Sequence, residues 1–417
     1  MNENILEKLP NKVKKEVIRL NSIAKEKGYF SYFIGGLVRD WVLKKPIKDI
    51  DMVIQGDALE IAKIYGEKYN ISVQYFPRFQ TAKIPLDDRI FNNIDLISTR
   101  KEIYEFPGAL PKIIEGNLKD DLYRRDFSIN TLCYSLNSFK IIDLFQGEKD
   151  IKNKLIRVLY SKSFMDDPTR ILRAIRFKNR FEFKYEAYTK EYMIEAINKK
   201  AFATISSDRI KKELILCLQE EKVKEILMDF IEFNIIETLF FIKDISENQF
   251  IWLEKVCKII KNKNKVLVIL LIVFFNANQE SIEKFCDFYQ INKDYKKLLI
   301  SNKEVFLKIK NELKKNNLTP FEIYRLFSSL KEEQIIFLNI YLQEKFFIKK
   351  FLEYYVNELR DVHISITGKD LISLGIPPGP IYDIIFKRVL KNKINLGWKT
   401  KEKEIEYIKK HIKEWRE

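Results

Sequence analysis

Two short runs decide the reading of this chain: Ile34-Gly35-Gly36-Leu37-Val38-Arg39-Asp40 and, nine residues on, Asp49-Ile50-Asp51. The aromatic and β-branched residues 29–34 predict a strand, the paired glycines end it, and 37–43 read as a helix. Glycines let backbone amides approach a phosphate closely, and a helix start adds favourable partial charge. Gly35 and Gly36 are therefore expected at a nucleotide phosphate, with Arg39, one turn into the helix, pairing with a triphosphate oxygen. Asp49 and Asp51 stand at i and i+2 on a predicted second strand, so both carboxylates project from one face. Carboxylates held that close repel each other unless a cation lies between them, and Mg²⁺ takes oxygen ligands while leaving room for phosphates. Two such ions about 3.5–4 Å apart can activate a hydroxyl and stabilise a leaving pyrophosphate. An Asp-x-Asp alone is a weak signal; the Gly-Gly-x-x-Arg-Asp upstream makes it specific.

Outward from these runs, 58–69 carries apolar residues at helical spacing, and 71–76, 81–85, 94–98 and 140–144 read as further strands. Beyond Asp166 the 3.6-residue period dominates through Asn357. A mixed α/β head followed by a helical remainder is the simplest architecture. Its expected parts are a head at 1–150, a neck at 151–220, a body at 221–360 and a tail at 361–417.

Composition narrows the classes. Among 417 residues, 46% are hydrophobic, with 31 Phe and 20 Tyr but only 12 Gly and 11 Pro, which favours long helices over a loop-rich β protein. Lys and Arg outnumber Asp and Glu by 75 to 59, and the net charge of +16 points to a polyanionic partner. No signal-type apolar core occupies the N-terminus, and the most apolar run, 266–275, is shorter than the ~20 residues of a membrane span. A cytoplasmic protein without a membrane partner is expected. Cys133, Cys217, Cys257 and Cys286 are scattered and read as reduced thiols. With only His363 and His411, zinc or histidine chemistry is poorly supported.

The glycine turn and the carboxylate pair resemble the class II tRNA nucleotidyltransferase and bacterial poly(A) polymerase family of the polymerase beta superfamily. The likeness continues in order. Arg124-Arg125-Asp126-Phe127-Ser128-Ile129-Asn130 is similar to the family's second motif, which implies sugar and phosphate binding by Arg125, Asp126 and Asn130. Asp143-Leu144-Phe145-Gln146-Gly147 resembles the strand and turn that close the head. Asp166-Asp167-Pro168-Thr169-Arg170 resembles Glu-Asp-x-x-Arg, whose Asp and Arg read the incoming base. Ser207-Asp208-Arg209-Ile210 through Leu214 matches a supporting helix, and Thr367 to Leu371 and Gly375 to Pro380 match the C-terminal region. The likeness covers roughly residues 20 to 410. It implies an α+β fold: a polymerase-beta-like head with a mixed sheet, then an all-α neck, body and tail.

The proposed base reading has a chemical rationale. Asp167 and Arg170 are three apart and are expected on one helix face. A carboxylate accepts from an exocyclic amino group while a guanidinium donates to an acceptor nitrogen, an edge that cytosine and adenine share. Arg173 and Arg176 continue that stripe and are expected to reach triphosphate or ribose. The resemblance implies Mg²⁺, or Mn²⁺ in its place, on Asp49 and Asp51, with Asp95 where the superfamily often has a third carboxylate. Two positions depart from the pattern: Asp166 replaces the usual Glu, and Asp208 opens the Glu-Arg-Ile motif.

Residues 98–117, punctuated by Pro107-Gly108 and Pro111, read as a mobile loop of the kind that the family associates with adding the terminal A. The basic runs 211–222, 255–265, 296–315 and 387–410 are expected to meet the tRNA acceptor and T arms through phosphates. Pro380 precedes a helix predicted at 381–390. Phe274-Phe275 and Phe346-Phe347 read as core. The expected activity is template-independent addition of CCA, or its terminal A, from CTP and ATP. Alternatives are an A-adding specialist served by a separate CC-adding enzyme, a poly(A) polymerase, and an inactive RNA-binding protein.

Overall fold

The computed structural model describes residues 4–260, 264–314, 317–342 and 346–415. The chain divides into two compact units, 1–239 and 240–417. Head and neck, separate in expectation, thus fall within one unit.

A seven-stranded mixed sheet organises the first unit. Its strands are β1 (Phe30–Ile34), β2 (Ile50–Gln55), β3 (Gln74–Phe76), β4 (Thr81–Pro85), β5 (Asn93–Ser98), β8 (Cys133–Ser135) and β9 (Ile141–Ile142), in the order β3-β4-β5-β2-β1-β8-β9. Only β2 and β5 run parallel; the other pairs are antiparallel. Alternation along β2 settles which face is which. Ile50, Met52 and Ile54 join a core with Val13, Val17 and Leu20 of α1 (Asn11–Glu26), Leu37 and Val38 of α2 (Gly36–Val42), and Ile61 and Tyr65 of α3 (Ala58–Tyr69). Val53 points the other way, packing with Tyr32, Ile34, Cys133 and Leu122 of α4 (Leu118–Tyr123). Asp51 shares this second face.

Residues 98–117 are not an unstructured loop. Strands β6 (Arg100–Ile103) and β7 (Lys112–Glu115) pair antiparallel into a separate hairpin. The turn signals at Pro107-Gly108 and Pro111 were legible, but the flanking charged strands carry little alternation. Strand 140–144 shrinks to two residues, and 71–76 begins only at Gln74.

The neck packs α7 (Thr169–Phe181) against α9 (Ser207–Gln219) and α10 (Val223–Glu232). Ile171, Leu172 and Ile175 of α7 are fully buried, as are Cys217 of α9 and Ile226 of α10. Head and neck are stitched together by a backbone bond from Ser128 N to Arg157 O at 2.9 Å and by the Phe127–Val158 bridge. The described part beyond Asp166 is helical except for Lys184–Tyr185, which pairs parallel with Leu155–Ile156.

The second unit is helical throughout its described residues. Phe274 and Phe275 are core, as expected: Phe274 packs on Phe240 and Phe285, and Phe275 on Trp252, Phe306 and Phe337. The Phe346-Phe347 side chains lie outside the described residues, as do 261–263 and 315 of the basic runs. The predicted tail helix at 381–390 extends over Ile381–Leu396 and ends at Gly397, φ +65°. Beside it, buried Glu404 accepts from the Ser365 and Ile366 amides and from Lys393 at 2.5 Å. No described helix is long and apolar enough to cross a membrane.

Candidate active site

The Gly-Gly turn is shaped for a guanidinium. Gly35 has φ +70°, and a Cβ placed there would stand 2.6 Å from Arg125 Nη1. The missing side chain lets Arg125 lie across the turn from β1 into α2. Arg125 donates to buried Asp121 at 3.2 Å, and its Nε is buried without a hydrogen-bond partner. An unmet guanidinium donor beside a glycine turn is chemistry that favours an anion.

Asp51 sits directly beside Asp95 in the parallel β2–β5 ladder. Asp49 is exposed and precedes β2, so the pair flanks the strand's start and does not lie wholly within it. Burial pushes the Asp51 carboxyl up to about 6, with Asp95 and Asp49 adding to the effect and Arg125 opposing it. Burial also raises Asp95, while Lys83, 3.7 Å away, and Asn93, which donates to it, pull it down. Among the described residues no three Asp, Glu, His or Cys side chains are already gathered around a point where a metal ion would sit. Asp95 is held by Lys83 and Asn93 instead. The donor set at this strand end is nevertheless all carboxylate, which fits a hard divalent cation such as Mg²⁺.

Other predicted residues take internal roles. Arg39 is buried; it donates to Asp40 at 2.8 Å and to Asn130 at 2.6 Å, and its guanidinium lies 4.8 Å from the Phe181 ring centre. It is not directed at an open phosphate site. Asn130 in turn donates to Asp126 at 2.8 Å, and Arg173 donates to the other Asp126 oxygen at 2.8 Å. Arg173 and Arg176 both reach Glu213 of α9, at 3.1 and 3.3 Å. A relay Arg39–Asn130–Asp126–Arg173–Glu213–Arg176 thus joins head to neck. Burial alone would raise the Asp126 carboxyl, but Arg173, Asn130 and Arg170 outweigh it and bring it to about 2.

Asp167 and Arg170 do not share a helix face. Asp167 is extended and precedes α7, where its carboxylate accepts from the Thr169 amide and hydroxyl at 3.1 and 2.6 Å. Proline at 168 explains this, because the residue before a proline is pushed out of the helical region. Arg170, buried in the first turn, donates to Ser163 (2.6 Å), to Tyr160 (3.2 Å) and to the Arg124 carbonyl (2.7 Å). The hairpin tip closes over this region. Gly108 N donates to Met165 O at 3.0 Å, and Arg209 donates to both Gly108 O and Asp167. Glu102 of β6 accepts from Arg124 and from the Tyr104 hydroxyl. Tyr104, Glu102, Tyr160, Ser163 and the bridging role of Arg209 escaped the sequence reading. Only Arg209 carried a signal, its place in the supporting-helix motif.

By fold, this places the chain among proteins with a nucleotidyltransferase-type head, and residues 31–157 match the family model described as the poly A polymerase head domain. An A-adding tRNA nucleotidyltransferase of Geobacter sulfurreducens is 32% identical over 399 residues, 90% of this chain and 44% of that protein. The chain therefore spans less than half the length of that curated relative. A solved tRNA-processing enzyme in an apo form is 30% identical, covering 82% of this chain and 96% of that one, with a TM-score of 0.70. The Thermotoga maritima CCA-adding enzyme complexed with tRNA is 25% identical, covering 98% of this chain and 97% of that one, with a TM-score of 0.78. This chain belongs to the class II tRNA nucleotidyltransferase and poly(A) polymerase family.

Proposed function

We propose that this protein extends the 3′ end of tRNA without a nucleic-acid template, adding the terminal A or the whole CCA from ATP and CTP. The observation that carries the reading is the convergence in one compact unit of Asp51 beside Asp95, Arg125 across the Gly35 turn, and Asp167 with Arg170 at the neck. The names of the A-adding relative and of the tRNA-complexed neighbour support tRNA as the acceptor.

In this reading the terminal ribose hydroxyl attacks the nucleotide α-phosphate in line, and pyrophosphate leaves. Asp49 and Asp51 would hold two divalent cations, Mg²⁺ or Mn²⁺, with Asp95 at their side. When bound, such ions favour loss of the hydroxyl proton and neutralise charge on the pyrophosphate. Arg125 offers the guanidinium end that lies across the Gly35 turn to a phosphate oxygen. The Asp126 relay holds Arg39 and Arg173 in fixed geometry, so their role is positioning. Asp167 accepts from the amino group of adenine or cytosine, and Arg170 donates to the neighbouring ring nitrogen after giving up Tyr160 or Ser163. Basic helices of the second unit bind acceptor and T arms through phosphates.

A narrower second reading is an A-adding specialist that acts after a separate CC-adding enzyme, favoured by the name of the Geobacter relative. Labelled CTP and ATP offered to transcripts ending before CCA, after C and after CC separate the readings. Complete CCA on the shortest transcript means a CCA-adding enzyme; one A on the CC-ending transcript alone means the specialist. Long A-tracts would point to a poly(A) polymerase. No incorporation by the folded protein would sink the assignment in favour of an inactive RNA binder.

A further inference from the structure

Of three aromatic rings beside the candidate active site, Tyr160 has served so far only through its hydroxyl, and Tyr123 and Phe145 have no role. Tyr123 closes α4 immediately before Arg124-Arg125 and is 47% exposed. Its ring lies 5.9 Å from that of Phe145 and 5.3 Å from that of Tyr160, tilted by 38° and 30°. Phe145 is half-buried and anchors the ladder against Ile34, Val53 and Leu122, on the sheet face that also carries Asp51. At the other end, the Tyr160 hydroxyl accepts from Arg170 Nη1 at 3.2 Å, and the Arg170 guanidinium carbon lies 5.9 Å from the Tyr160 ring centre. The ladder therefore spans the ground between the carboxylate face and the base-reading arginine.

We infer that the Phe145–Tyr123–Tyr160 ladder is a stacking platform for the last nucleobase of the RNA strand being extended. The inference rests on the reading of the protein as a 3′-end nucleotidyltransferase and adds a binding site to it. Tyr123 is the exposed ring of the ladder, and its contacts with Phe145 and Tyr160 fix its orientation, so a base that stacks on its open surface meets a ring already ordered. Stacking accepts any base, which suits an acceptor end whose last residue changes as it grows. Charge fits the same occupant. Lys119, one turn before Tyr123 on α4, is exposed, and so is Lys162, two residues beyond Tyr160, so each tyrosine has an exposed cation near it in the chain that suits a strand's phosphates.

The test is steady-state addition of A to an acceptor-stem minihelix ending in CC, with KM for RNA and KM for ATP measured separately. Y123A is expected to raise the RNA KM about 5- to 150-fold, the range of one lost stacking contact, and to leave the ATP KM within about twofold. Y123W is expected to restore the RNA KM, which a purely structural role of the tyrosine would not allow. An unchanged RNA KM in Y123A would overturn the proposal. A raised ATP KM with an unchanged RNA KM would also overturn it, placing the incoming base on the ladder instead. If the wild-type protein adds no nucleotide, the parent reading fails, and the ladder is judged by fluorescence titration with a short single-stranded oligonucleotide. Weaker binding by Y123A would then support the platform, and equal binding would overturn it.

Discussion

Arg209 binds Asp167 through one terminal nitrogen at 2.9 Å and the carbonyl of Gly108 through the other at 2.6 Å. One guanidinium from α9 thus ties the tip of the β6–β7 hairpin to the carboxylate proposed to read the base. A lysine has one charged nitrogen and cannot span both partners in this fixed fork geometry. Arg209→Lys is expected to speed amide exchange at Gly108 about tenfold, as fits a lost charged hydrogen bond. The ATP KM should rise as Asp167 loses its tether. Hydrogen exchange by mass spectrometry and steady-state kinetics check the two halves.

Gly35→Ala tests the turn. Its Cβ would meet Arg125 Nη1 at 2.6 Å, and φ +70° disfavours any L side chain. Strain of about 1–2 kcal/mol is expected, read as a lower melting temperature. Displacement of Arg125 should weaken triphosphate binding, read as a higher ATP KM. An unchanged KM would mean that the arginine does not serve the phosphates.

Asp126→Asn probes the relay through pH. The folded carboxyl, near 2, is depressed below its ordinary value, so its contribution is present above about pH 4. It is lost as pH falls toward 2 and amounts to about 2 kcal/mol. Melting curves from pH 7 to pH 2.5 should show this acid loss in the wild type and a flatter profile in the variant. At neutral pH the variant should be less stable by about 3 kcal/mol, because Arg173 loses a buried partner.

Asp51→Asn separates catalysis from folding. Burial and the neighbouring Asp95 both disfavour the ionised Asp51. In metal-free buffer the variant should therefore be more stable than the wild type by about 1 kcal/mol. Nucleotide incorporation should vanish while tRNA retention on a filter persists. Loss of both would point to misfolding, whereas retained incorporation would remove Asp51 from the proposed metal site.

Much of the head was legible because its signals are local. The strand, the glycine pair, the helix over Gly36–Val42 and the strand from Ile50 follow from composition and turn chemistry within a few residues. Helix α3 matches its predicted limits, Ala58–Tyr69, because Asp57 caps its first amides and Asn70 closes it in the left-handed region. The hairpin was missed because short charged strands have no buried face to impose a period of two.

The sequence by itself determined which chemical groups this protein has and on which local elements they stand: the carboxylates of 49 and 51, the glycine turn, the arginines of α7. Only the tertiary structure decided how those groups are used. Asp51 gains Asp95 as a neighbour because β2 and β5 pair in parallel; Arg39 is taken up by Asn130, 91 residues away; Arg209 finds Gly108 across 101. Such partners are set by sheet order and packing, which act over distances that no local periodicity encodes. A guanidinium that looks free in sequence is therefore free or engaged according to the carboxylates and carbonyls that folding brings to it.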